Sequence, residues 1–93
     1  MYARVLGTFQ EKIRSGLYVM TIHAQEEMVD DLFTIYDIEN AILKGSIVER
    51  QRDAERKEWK YIIHGVSLND RFVNIAAKLS PTGKMVIITV FSD

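Results

Sequence analysis

The chain has no cysteine and a single proline among its 93 residues. Without cysteine there is no disulfide and no thiolate metal site to stiffen the fold. Long apolar runs are also missing. None approaches the roughly 20 residues of a membrane-spanning helix, and the N-terminus lacks the apolar core of a secretion signal. An excess of positive charge is absent too: 12 Lys and Arg stand against 13 Asp and Glu, a formal net charge of −1. Domains that hold nucleic acid through its phosphates usually carry such an excess, so only a local basic patch could do that here. No Gly-rich phosphate loop, nucleophile elbow or His-Glu-x-x-His metal motif occurs. The expectation is a soluble, cytoplasmic domain with no membrane contact, no metal and no cofactor.

What is present is a globular balance, 47% hydrophobic and 27% charged, in a length that allows one domain, residues 1–93. A core this small buries roughly 60–65% of the extended chain's surface. Self-association, a homodimer in the simplest case, is a common supplement.

Val5, Leu6, Phe9 and Ile13 recur at helical spacing, predicting a helix from Ala3 to Ser15 with Gly16 as its stop. Leu17 to Thr21 suits a short strand. Thr21 is a candidate N-cap for a helix from Ile22 to Asp31, whose buried stripe would be Ala24, Met28 and Leu32. Thr34 to Asp37 is a capping box with Asp in place of Glu. It opens a helix with Ile35, Ile38, Ala41 and Ile42 on its apolar face and Lys44-Gly45 at its end.

The period then changes to two. Ser46 to Gln51 is strand-like, and the charged Arg52 to Lys57 run is a hairpin tip. From Glu58 to Val66, Trp59, Tyr61 and Ile63 face one way and Lys60, Ile62 and His64 the other. From Arg71 to Leu79, Val73, Ile75, Ala77 and Leu79 oppose Phe72, Asn74, Ala76 and Lys78. Ser80-Pro81-Thr82-Gly83 has the signature of a type I turn. Lys84 to Phe91 is apolar on both faces, as a covered strand is. Helices early and strands late give an α+β class: N-terminal helices on one face of an antiparallel meander of four to five strands.

The order and spacing of Tyr18 to Ala24, of Tyr36 to Ile42 before Lys44-Gly45, and of Met85 to Phe91 resemble a family of small prokaryotic domains of unknown function. That family is distantly related to the RelE/ParE and BrnT-type toxins. The resemblance spans Leu17 to Phe91. It implies a RelE-like fold, an antitoxin-like protein partner, and at the strongest a metal-independent endoribonuclease acting on free or ribosome-bound RNA, at the weakest a toxin-like protein of unknown activity. Two positions depart from the pattern. Glu27 stands where the family places Arg after the His-Ala pair, and Phe91 occupies the region where RelE-type nucleases carry Tyr.

Phosphodiester cleavage needs a base, an acid and a cation near the phosphate. His23, His64, Arg71 and Lys78 are the candidates. His23 is more simply explained as a junction residue paired with Glu27 at i, i+4, and His64, Arg71 and Lys78 as rim residues of half-exposed strands. Arg50, Arg52, Arg56, Lys57 and Lys60 put 5 of the 12 basic residues in 11 positions. Of these, Arg50, Arg52 and Lys60 are candidate nucleic-acid contacts, with Trp59 and Tyr61 available to stack bases. The interleaved Asp53, Glu55 and Glu58 make a solvated hairpin tip the competing explanation. Glu26, Glu27, Asp30 and Asp31 form an acidic helix face, most simply a solvated one, with a contact surface for a basic partner as the alternative. Trp59, Tyr61, Phe72 and Phe91 are most simply sheet core. The competing function is a non-catalytic protein–protein interaction domain.

Overall fold

The first helix, α1, forms where the apolar spacing places it, over Ala3–Ser15. It ends at Gly16, whose φ of 73° is left-handed, and the N–H groups of Gly16 and Leu17 return to the carbonyls of Ile13 and Lys12. That closure satisfies carbonyls left open at the helix end. The computed structural model describes residues 1–55 and 57–92. Strand β1 is short, Tyr18–Met20. Thr21 caps α2 (Ile22–Asp30), its side-chain oxygen accepting from the Ala24 N–H at 3.0 Å. The capping box opens α3 (Ile35–Lys44), with both reciprocal bonds between Thr34 and Asp37 formed. Strands β2 (Ser46–Asp53), β3 (Glu58–Val66), β4 (Phe72–Leu79) and β5 (Met85–Phe91) complete the chain.

The class is α+β, with a five-stranded sheet in the order β1-β5-β4-β3-β2. The last four strands form the antiparallel meander, and β1 adds to β5 in parallel. Helices α1 and α3 lie over the sheet while α2 packs along β5. Phe9, Ile38, Ile42, Ile63, Val73, Ile75, Met85, Ile87 and Val90 meet in a single core. The two faces of β3 and β4 alternate as their sequences predict. Gly65 lies directly beneath the backbone of Ala41, and a Cβ there would collide with it. Removing that carbon lets α3 rest on β3.

Several expectations are corrected. Leu32 is not part of the stripe of α2. It follows the helix end with φ 61° and is 84% exposed, and Phe33 takes the core position instead. The tip of the β2–β3 hairpin is tighter than the charge run suggests, because cross-strand pairing continues to Asp53 and Glu58. Trp59, Phe72 and Phe91 are not core: each keeps more than a third of its surface in solvent. Only Tyr61 packs inward, edge-on to Phe9 at 5.8 Å. Finally, β5 carries one extra residue, Ile88, between the positions facing Ala77 and Ala76. A bulge of this kind interrupts strict alternation.

Candidate functional site

His23 stands in the first turn of α2, where the chain leaves the sheet. Its Nε2 is 3.3 Å from Oε1 of Glu27, the i, i+4 pair that the spacing implies. The imidazole is 69% exposed, whereas the Glu27 side chain is 25% exposed. The same Glu27 oxygen accepts the N–H of Val90 at 3.1 Å. Strand β1 pairs only as far as Ile87. Beyond it, Thr21 and Glu27 take over the edge of β5. The Thr21 hydroxyl donates to the Ile88 carbonyl at 2.9 Å, and its N–H donates to Ile87. Glu27 therefore serves as a sheet-edge acceptor, an office that Arg could not fill.

His64 lies on the sheet face opposite the helices. Its ring stacks on Phe72 at 5.2 Å, and its Nδ1 is 2.9 Å from the Asn74 side-chain oxygen. Lys78 shares this face but is four residues along β4 from Asn74, which faces His64 across the ladder. At about 3.3 Å per residue that separates them by ~13 Å. The Lys78 ammonium donates to Glu58 at 2.7 Å. Lys60 and Lys78 do come together, in a recess of about 230 Å³ that Val86 and Ile88 also line. Asp53 and Glu58 line the same recess, so its cations are matched by anions.

Arg71 points to the other side of the molecule. Its guanidinium lies over the Phe33 ring at 4.1 Å and donates to the Leu32 carbonyl at 3.5 Å. Beside it, Asp37 is nearly buried, 8% exposed. One carboxylate oxygen accepts the Thr34 N–H at 2.8 Å and the other the Leu68 N–H at 3.0 Å. The Thr34 N–H, then the Leu68 N–H, the Thr34 hydroxyl and the Arg71 charge, hold Asp37 below the usual carboxylate range, against the opposing effect of burial. This cluster ties the start of α3 to the β3–β4 turn. Arg71 is thus a structural clamp. Across the core, Tyr18 donates to Glu39 at 2.6 Å, and burial, with that bond, raises its hydroxyl above its ordinary value.

The basic hairpin divides as well. The guanidinium of Arg50 sits 4.0 Å and that of Arg52 5.0 Å from the centre of the Trp59 ring. Arg50 also approaches Tyr2. Guanidinium groups therefore occupy the indole where a base would stack. Arg56 lies outside the described residues.

Four candidate catalytic residues thus occupy three surfaces: His23 at the outer edge of β5, His64 and Lys78 at opposite ends of the uncovered sheet face, and Arg71 against Phe33. Among the described residues no group of three or more His, Asp or Glu side chains could hold a metal ion, and no helix is long and apolar enough to cross a membrane.

The outside of α2, acidic by sequence, also carries an exposed apolar pair that its pattern did not single out. Ile22 is 75% and Val29 63% exposed. With Gln25, Glu26 and Asp30 they line an open groove. The signal was there: Ile22 and Val29 are seven residues apart, two helical turns. It was masked by the stronger Ala24 and Met28 stripe.

Residues 20–92 match the family described as Domain of unknown function (DUF4258). No curated protein and no solved structure matches the chain.

Proposed function

This chain belongs to the DUF4258 family, and we propose that it is a small cytoplasmic RelE-like, toxin-type domain that works by binding a protein partner and not by cutting RNA. One observation carries this reading. The four residues with the right chemistry for RNA cleavage are spread over three surfaces, and each is engaged within the fold: His23 with Glu27, His64 with Asn74, Lys78 with Glu58, Arg71 with Phe33 and Leu32. Acid–base catalysis needs its groups within hydrogen-bond reach of one reacting centre. The ~13 Å of strand between the backbone positions of Lys78 and of Asn74, the partner of His64, argues against such a centre. Phosphate binding also lacks its electrostatic basis, because the recess holding Lys60 and Lys78 is charge-balanced and the net charge is −1. The α+β order, with helices over a mostly antiparallel sheet, supports the toxin-type relationship.

The test is direct. Purified protein incubated with RNA, free or on translating ribosomes, should leave the RNA intact at the level of a protein-free control. Cleavage that disappears in a folded His64→Ala or Arg71→Ala variant would overturn the proposal.

A further inference from the structure

We propose that the outer groove of α2, with the exposed Leu32 just past its helix end, is the docking surface for a basic amphipathic helix of the partner protein. The inference rests on the protein-binding reading and adds the surface and the chemistry of its occupant. Positions 22 and 29 fall within ~20° of each other on a helix of 3.6 residues per turn, so Ile22 and Val29 form one ridge. Both are mostly in water. The opposite side of the helix, Ala24 and Met28, is committed to the core. The helix is thus apolar on two sides, and only one is used by the domain itself.

Leu32 is the second observation. Its N–H bonds the Val29 carbonyl at the helix end, and it holds a left-handed φ while its side chain stands 84% exposed. A leucine gains nothing there from either backbone or burial; glycine or asparagine suits the turn better. An exposed apolar side chain on a disfavoured backbone, whose carbonyl accepts from Arg71, is what a docking knob requires.

Charge selects the occupant. Glu26 and Asp30 border the ridge, α2 contains no Lys or Arg, and neither acid is in a salt bridge among the described residues. Such a rim repels RNA and anionic membranes and favours a partner that puts Lys or Arg beside its apolar stripe.

The probe is a fluorescent Leu/Lys amphipathic peptide of about 16 residues, ~24 Å of helix, with a Leu/Glu counterpart as control. Fluorescence anisotropy should show the Leu/Lys peptide binding and the Leu/Glu peptide not. Val29→Ser with Leu32→Gly should weaken binding about tenfold or more, and Glu26→Lys with Asp30→Lys should exchange the preference towards the Leu/Glu peptide. Both pairs of changes lie on exposed positions, and thermal melting reports that each variant folds. Failure of the Leu/Lys peptide to bind, or binding indifferent to both variants, overturns the inference. So does a homodimer in size-exclusion chromatography that the Val29→Ser, Leu32→Gly variant dissolves, since the occupant is then a second copy. RNA left intact in any of these outcomes removes the groove and leaves the protein-binding reading standing.

Discussion

Asp37 does two jobs with one carboxylate: it completes the cap of α3 and receives the Leu68 N–H from the β3–β4 turn. Because its folded pKa lies below its unfolded one, its contribution is complete above pH ~4 and is lost as the pH falls through the lower, folded value. Asp37→Ala should cost roughly 1–3 kcal/mol at neutral pH. The gap in melting temperature between wild type and variant should close as the pH drops from about 6 towards 2. A gap that stays constant would mean that the carboxylate charge contributes nothing. The capping box was legible, since Thr34 and Asp37 stand at its spacing. The bond to Leu68 was not, because it joins residues 31 positions apart and no local pattern encodes such a meeting. Leu32 failed for a related reason. Periodicity assigns it to a helical stripe but does not register that the helix stops two residues earlier.

At the scale of elements, α3 is placed on the sheet by a missing atom. Gly65 faces the Ala41 backbone so closely that a methyl group has no room. Gly65→Ala should therefore destabilise the domain by about 3 kcal/mol or more, since neither backbone can yield cheaply. Gly7→Ala, at an exposed helical position with open space around it, should stabilise by about 0.5–1 kcal/mol. Urea unfolding of the two variants checks both signs, and equal midpoints would refute the packing argument. The elements themselves were largely readable, because capping residues, Gly16 and period-two alternation are local signals. The parallel pairing of β1 with β5 was not, because Tyr18 and Met85 are partners far apart in the chain. That pairing decides where α2 begins and leaves His23 on the rim. Register also separates His64 from Lys78, which share a predicted face but sit at opposite ends of it.

At the scale of the whole molecule, the family match begins at residue 20, yet the core reaches back to α1. Phe9 is fully buried and Ile13 nearly so. Each contributes ~1.5–3 kcal/mol through burial alone, and the voids left by their removal add to the loss. Against a total stability of about 5–15 kcal/mol for a domain, that is a large share. A fragment of residues 17–93 should lose its near-ultraviolet circular dichroism and its cooperative thermal transition. A fragment melting as sharply as the parent would place α1 outside the folding unit. Composition alone indicated one domain, since 93 residues have no room for a second core.

The extra residue at Ile88 works like a vernier between two scales of unequal pitch. On one side of it β5 counts in step with β4 from Met85; on the other it counts one ahead. Both stretches keep apolar residues on the helix side, Ile87 before the offset and Val90 after it. A strand of ordinary length would keep the same interior. It would lack the carbonyl to which the Thr21 hydroxyl donates, and so the anchor at the start of α2. One surplus amino acid is therefore invisible to the core and felt at the rim, and the shape of the edge beside α2 can change by insertion or deletion there while the interior stays in register.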